Sequence, residues 1–202
     1  MRLILVRHGE TVWNQEQRVQ GLTDIALSKR GREQAVRLAH CLMTEQIDRI
    51  VSSPLKRAYE TAMLIKQFHE VVVETDRDLR ELDQGDFEGL TFDELRTCHE
   101  GFLRQWRADP GSVIIPNGES LDDLQVRAWR VIERLIRTSR NALVVAHNFT
   151  ITAILCKIQH MQLCRFREAT VETASQTVVE ITGAKMLITR YNDTRHLDTM
   201  NR

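Results

Sequence analysis

Arg7, His8 and Gly9 follow one another at the end of an apolar run, residues 1–6, and lead into Glu10-Thr11. A guanidinium beside an imidazole at a strand end is a compact set for holding a phosphoryl group and attacking it. Arginine offers forked donors to phosphoryl oxygens. A neutral imidazole, with an unperturbed pKa of ~6.5, is a nucleophile near neutral pH. Taken alone, His8 reads as a satisfied core histidine; the arginine and glycine beside it favour the reactive reading. Three further segments carry groups that suit the same chemistry. His147 follows the fully apolar run 142–146, Arg57 lies one turn into a helix expected just past a second strand, and Glu81 sits in the loop after a third. In open α/β sheets ligands bind at the carboxyl ends of the strands, so these four side chains are expected at one edge.

The elements that must position them alternate along the chain. Residues 3–6 read as the first strand. Ser28 is a plausible N-cap for a helix whose Ala35, Leu38, Ala39, Leu42 and Met43 recur at helical spacing. Residues 49–51 form a second strand, and Ser53-Pro54 opens the next helix, with serine as its cap and Leu55, Ala58, Ala62 and Ile65 inward. Residues 71–73 are a third strand. The pattern weakens between 76 and 116, where helical stretches at 91–98 and 102–108 are joined by Gly and Pro; residues 85–116 are expected to cross the top of the sheet as a lid. Ser120 starts a helix that buries Leu121, Leu124, Ala128, Val131 and Leu135. The run 142–146 has the character of a strand covered on both faces. A helix at about 149–160 and a hairpin, 177–181 with 186–189, complete the order. The expected fold is α/β: a three-layer sandwich with a mainly parallel central sheet, as one domain over residues 1–202.

Bulk composition narrows the partners. The chain has 202 residues, 42% hydrophobic and 28% charged, and its 28 Lys+Arg balance 28 Asp+Glu. With no net field, nucleic acid and anionic lipid are not expected partners, and an anionic ligand must be held by a local cluster. The start of the chain lacks the pattern of a signal peptide, and no stretch approaches the ~20 apolar residues of a membrane span. Cys41, Cys98, Cys156 and Cys164 have no Cys-x-x-Cys spacing and are expected as small buried hydrophobes, which fits a reducing cytoplasm. His160 and Cys164 are spaced i, i+4, too few for a metal site.

Leu5-Val6-Arg7-His8-Gly9-Glu10-Thr11 with Trp13-Asn14 resembles the signature of the histidine phosphatase superfamily, the phosphoglycerate-mutase-like proteins. Ser52-Ser53-Pro54-Leu55-Lys56-Arg57-Ala58 with Thr61-Ala62 resembles its second arginine segment. Leu79-Arg80-Glu81-Leu82 with Gly85-Asp86-Phe87-Glu88-Gly89 resembles its acid segment. Pro116-Asn117-Gly118-Glu119-Ser120, Val144-Val145-Ala146-His147 and Asn192-Asp193-Thr194-Arg195-His196-Leu197 follow in the family's order. The resemblance covers nearly the whole chain and is closest to the phosphatase branch, the α-ribazole and broad-specificity phosphatases.

The resemblance implies that His8 attacks phosphorus to give a phosphohistidine. Arg7, Arg57 and His147 then hold the phosphoryl oxygens, with Asn14 and the Gln20-Gly21 turn in the same pocket. Glu81 is the implied general acid and needs a raised pKa; Asp76, Asp78, Asp83, Asp86 and Glu10 are its rivals. No metal or other cofactor is implied, because guanidinium groups carry the positive charge. Where the family usually has glycine after this histidine, Asn148 stands, a residue type that tolerates positive φ and borders the pocket. Trp13, Trp106 and Trp129 are expected to pack. The implied partner is a small phosphorylated metabolite, such as α-ribazole phosphate, 3-phosphoglycerate, a sugar phosphate or phosphoserine, and the 177–189 hairpin offers an edge for a homodimer. Phosphoglycerate mutase is the alternative activity. The mutases that this chain resembles carry a longer basic insertion after the acid segment, whereas here Trp106-Arg107 continues as Ala-Asp-Pro. A non-catalytic phospho-ligand module is the third reading.

Overall fold

The computed structural model describes residues 1–200, with side chains to Asp198. β1 (Arg2–Arg7) leads through a short α1 (Val12–Gln15) to α2 (Lys29–Leu42). β2 (Arg49–Ser52), α3 (Lys56–Lys66) and β3 (Val73–Thr75) follow. Next come α4 (Phe92–Cys98), α5 (Glu100–Ala108), α6 (Leu121–Thr138), β4 (Ala142–Ala146), α7 (Asn148–Ile158), β5 (Gln176–Thr182) and β6 (Lys185–Asp193). The six strands form one sheet in the order β3-β2-β4-β1-β5-β6. The first four are mutually parallel, and β5 and β6 run antiparallel at one edge.

The alternation of side chains along β1 explains the three layers. Leu3 and Leu5 join one buried cluster, with residues of α6 and α7. Ile4 and Val6 join another, with residues of α2 and α3. Covered on both faces, β1 and β4 carry nearly continuous apolar runs. No helix among the described residues is long and apolar enough to cross a membrane.

Register does the positioning. Arg7 pairs with Ala146 across β1 and β4, and Ser52 pairs with Val145 across β2 and β4. His8, Ser53 and His147 are therefore the first residues beyond three neighbouring strands. The His8 N–H donates to Ala146 O at 3.1 Å, and the Ser53 N–H to Val145 O at 2.9 Å. At Gly9 the backbone packs against Gly31 of α2, and a β-carbon there would collide with the Gly31 carbonyl. That contact accounts for the glycine after the histidine.

Several local expectations are corrected. Ser28 caps α2, its hydroxyl accepting from the Gly31 N–H; Met43, expected inward, lies past the helix end and is half exposed. α3 begins later than expected, with Leu55 as its N-cap residue; the Ser53 hydroxyl accepts from the Leu55 N–H at 3.3 Å and from His147 Nε2 at 2.8 Å. Only Val73 of the 71–73 run is in a strand: β3 pairs from Val73 onward, Val71 is in a turn and Val72 is exposed. Cys156 is buried, but Cys41, Cys98 and Cys164 are exposed, and all four are free thiols.

Candidate active site

A cavity of about 240 Å³ opens beside the ends of β1 and β4. Its polar lining includes Arg7, His8, Asn14, Gln20, Glu81, Gln84 and Asn148. Its apolar lining comes largely from the 87–115 segment, with Phe87, Phe92, Leu95, Phe102, Leu103, Trp106 and Ile115, supplemented by Val19 and Phe149.

His8 is almost fully buried, and its Nδ1 lies 2.7 Å from Gly9 O. A carbonyl only accepts, so Nδ1 carries the proton and Nε2 holds the free lone pair in the neutral ring. Burial, with the charges of Arg57 and Arg7, holds the ring's pKa well below 6.5, so it is neutral at pH 7. This tautomer is the one a nucleophilic Nε2 requires. The Gly9 N–H donates to Thr61 Oγ1 at 3.2 Å, and Thr61 in turn donates to Arg57 O at 2.8 Å, which ties the histidine turn to α3.

Arg57 and His147 lie beneath this turn and do not line the cavity. Both are fully buried, and the His147 ring is 5.1 Å from that of His8. Arg57 Nε donates to His147 Nδ1 at 3.2 Å, which leaves His147 Nε2 to donate to Ser53 Oγ at 2.8 Å. The remaining Arg57 nitrogens donate to Thr23 O at 3.0 Å and Gly21 O at 2.7 Å. Burial lowers the Arg57 pKa to about 10, so the cation persists at neutral pH. Glu60, three residues further along α3, pairs with Arg32. Gly21 thus serves through its carbonyl, held close against Glu88 and Gln84 where a side chain has no room. Glu88 fixes the loop by accepting from the Leu22 and Thr23 N–H groups at 2.5 and 2.8 Å. Arg7 donates from Nη1 to Val171 O at 2.5 Å, and its Nε is a buried donor with no protein partner. Buried donors are seldom left so, and an anionic oxygen is a suitable acceptor for it.

Glu81 reaches the site from outside the sheet. Its Oε1 accepts from the Leu82 N–H at 2.9 Å and the Thr150 N–H at 3.2 Å, and its Oε2 accepts from the Phe149 N–H at 3.2 Å. The carboxyl therefore caps α7, whose own N-cap residue, His147, makes no side-chain cap bond. Burial raises the Glu81 pKa above 4.5, and the hydrogen bonds and the Arg57 and Arg7 charges offset this only in part. Such a carboxyl can exchange a proton near the cavity. The rivals are placed elsewhere: Asp76 pairs with Arg134, Asp78 lies near Arg130, Asp83 caps the Gly85 N–H and Asp86 accepts from the Asn117 amide. Glu10 accepts from Gln15 and Ser28 and does not line this cavity.

Arg127 holds the Glu81 segment in place, and nothing in the sequence pattern had marked it. It donates to the carbonyls of Asp78, Arg80 and Glu81 at 2.8, 2.7 and 2.8 Å. It also pairs in a fork with Glu119, at 2.6 and 2.8 Å. Asn148 is the first residue of α7 and is not in the left-handed region, so no positive φ is needed in place of glycine. Its Oδ1 accepts from the Val171 N–H at 3.2 Å. Asn14 and Gln20 line the cavity and meet around the Thr11 hydroxyl. Trp106 packs as expected, stacked on Phe102 at 5.9 Å, but it also faces the cavity.

A model of the histidine phosphatase superfamily (branch 1) matches residues 3–194. Phosphoserine phosphatase 1 of Hydrogenobacter thermophilus is 34% identical over 199 residues, covering 98% of this chain and 94% of that protein. The solved structure of Bacillus stearothermophilus YhfR superposes with a TM-score of 0.92 at 28% identity, covering 98% of this chain and 99% of that one. Mycobacterial glucosyl-3-phosphoglycerate phosphatase, complexed with VO3, superposes with a TM-score of 0.87 at 30% identity, covering 95% and 98%.

Proposed function

Because the chain belongs to the histidine phosphatase superfamily, branch 1, whose phosphatase relatives mark it as an enzyme hydrolysing phosphate esters, we propose that it is a metal-independent phosphomonoesterase working through a phosphohistidine on His8. The observation that carries this reading is the fixed tautomer of His8, with Nδ1–H on Gly9 O and Nε2 free, in a cavity that Arg7 and Glu81 also line.

The first step forms the Nε2–P bond and breaks the P–O bond of the ester. Glu81 gives its proton to the departing alkoxide. A water then attacks phosphorus, Glu81 takes a proton from it, and the N–P bond breaks to release inorganic phosphate and regenerate neutral His8. Phosphoryl transfer depends mostly on positioning and charge stabilisation. Arg7 supplies its Nε–H to a phosphoryl oxygen. Arg57 adds its positive charge from beneath and, with His147, holds the Gly21 and Thr23 carbonyls and the Ser53 hydroxyl in place, while Asn14 and Gln20 donate their amides to the other oxygens. The guanidinium groups provide the charge compensation for which other phosphatases use metal ions.

Phosphatase is favoured over mutase because the apolar cavity wall offers a bisphosphate only Arg18 as a second cationic grip, and Glu16 and Gly89 O already hold it. The substrate is a small phosphorylated metabolite. The relatives' names point to phosphoserine or a glycosylated phosphoglycerate, which leaves the alcohol open. Residues 1–202 read as one catalytic domain in which 85–116 covers the site. The exposed free thiols suit a reducing cytoplasm, and β6 offers an edge for a second copy. Rapid quench with a ³²P-labelled ester tests the mechanism: acid-labile, base-stable label appears on the wild-type protein and is missing from His8→Ala. Label that persists in His8→Ala sinks the assignment.

A further inference from the structure

The alcohol that carries the phosphoryl group is readable from the cavity wall, an inference that rests on the phosphatase reading above. Five side chains of α4 and α5 face the cavity: Phe92, Leu95, Phe102, Leu103 and Trp106. Phe149 faces it from α7. Phe102 stacks on Trp106, and Trp106 meets Phe149 edge-on at 6.4 Å, so this wall is a packed aromatic surface. Phe92 lines the cavity while 46% exposed, an apolar ring kept at the mouth and out of the core.

Charge is sparse in the cavity lining. Besides Arg7, Arg18 is the one cation lining the cavity among the described residues, and it is already engaged. Its Nε lies 2.7 Å from Glu16, and its Nη1 donates to Gly89 O at 2.8 Å. Glu81 is the one carboxylate in the lining, and α7 and Leu82 hold it. A carboxylate, ammonium or second phosphate placed against the aromatic wall loses its hydration, and the one further cation in the lining, Arg18, is already shared with Glu16 and Gly89 O. An apolar group there gains by leaving water. The volume of about 240 Å³ falls below the ~300–1,000 Å³ usual for drug-sized ligands.

We infer that the substrate is the phosphate monoester of an apolar alcohol, one ring or one branched alkyl group in size, with no second charged group. Against this wall phosphoserine and phosphoglycerate are poor substrates.

The test compares kcat/KM of the full chain for ethyl phosphate, 2-phenylethyl phosphate, O-phospho-L-serine and 3-phosphoglycerate. All four are esters of primary alcohols, so the order reports contact with the wall more than leaving-group ability. The expected order places 2-phenylethyl phosphate about thirtyfold or more above ethyl phosphate, with the two charged esters no better than ethyl phosphate. Phe92→Ser and Leu103→Ser each lower the phenylethyl-to-ethyl ratio, by about tenfold for Leu103, with thermal melting as the control for folding. Hydrolysis of all four esters with a charged ester preferred, or a ratio that neither variant moves, overturns the apolar-alcohol assignment and leaves the phosphatase reading standing. No hydrolysis of any ester and no labelled His8 overturns both.

Discussion

The strand ends and the 76–120 segment place their candidate residues at or beside one cavity by different means. At the strand ends, His8 and His147 are each the first residue past a buried strand, and the parallel register of β1 and β4 sets them side by side. Position there costs little extra structure, because the sheet that makes the core also aims the side chains. Glu81 has no such support. Its segment leaves the sheet after β3, and its place depends on a capping contact with α7 and on the three carbonyls gripped by Arg127. A nucleophile on a strand end is therefore robust, whereas an acid on an excursion is only as well placed as the polar clamp that holds it.

This contrast is open to direct attack. The largest effect is expected at the strand end: His8→Ala lowers kcat by on the order of 10⁴-fold or more and leaves the melting temperature near that of wild type. Glu81→Gln is expected to lower kcat for alkyl phosphates by about 10²–10³-fold. With p-nitrophenyl phosphate, whose leaving group needs no proton, Glu81→Gln should give a burst of p-nitrophenol and accumulate phosphoenzyme. The pH profile of kcat/KM separates the two groups. His8 must be unprotonated, and its depressed pKa puts the acid limb below 6.5. Glu81 must be protonated, and its raised pKa puts the alkaline limb above 4.5. Only the alkaline limb should vanish in Glu81→Gln, and an unchanged profile there removes Glu81 as the acid.

Arg127→Met strikes the clamp itself. Both partners are largely buried, with 12% and 16% of their side chains exposed, so stability to denaturant should fall by about 3–5 kcal/mol. If Arg127 positions the acid, kcat for alkyl phosphates falls about tenfold while p-nitrophenyl phosphate is less affected; an equal loss on both reduces Arg127 to a structural role. The smallest effect is expected from Asn148→Gly. It removes one acceptor, from the Val171 N–H, so stability should drop by about 1 kcal/mol and activity should stay within about tenfold, or ~1.4 kcal/mol, of wild type. A much larger loss of kcat assigns Asn148 its own part in the reaction.

Legibility in the sequence followed the same divide. The strand runs other than 71–73, the Ser28 and Ser120 caps and the inward faces of α2 (Met43 apart) and α6 were readable because they depend on neighbours one to four residues away. Ser53 was readable only as a residue of the α3 start, where its hydroxyl accepts from the Leu55 N–H, since its other partner, His147, is 94 residues distant. Arg127, one cation on an amphipathic helix, gave no signal of its own, and Glu119 was visible only as part of a matching motif. The aromatic wall was hidden for the same reason: Phe87 precedes α4, Phe102 and Trp106 lie on α5 and Phe149 lies on α7, and only the fold gathers them.

By itself the sequence determined the α/β order and the family resemblance, and it singled out four candidate residues, because strand periodicity and short motifs are local. Tertiary structure alone decided which nitrogen of His8 is free, that Glu81 caps α7, that Arg57 and His147 lie beneath the cavity, and that an apolar wall lines it. Each of these depends on a carbonyl, an N–H group or a ring brought in from another part of the chain, and long-range packing sets those contacts.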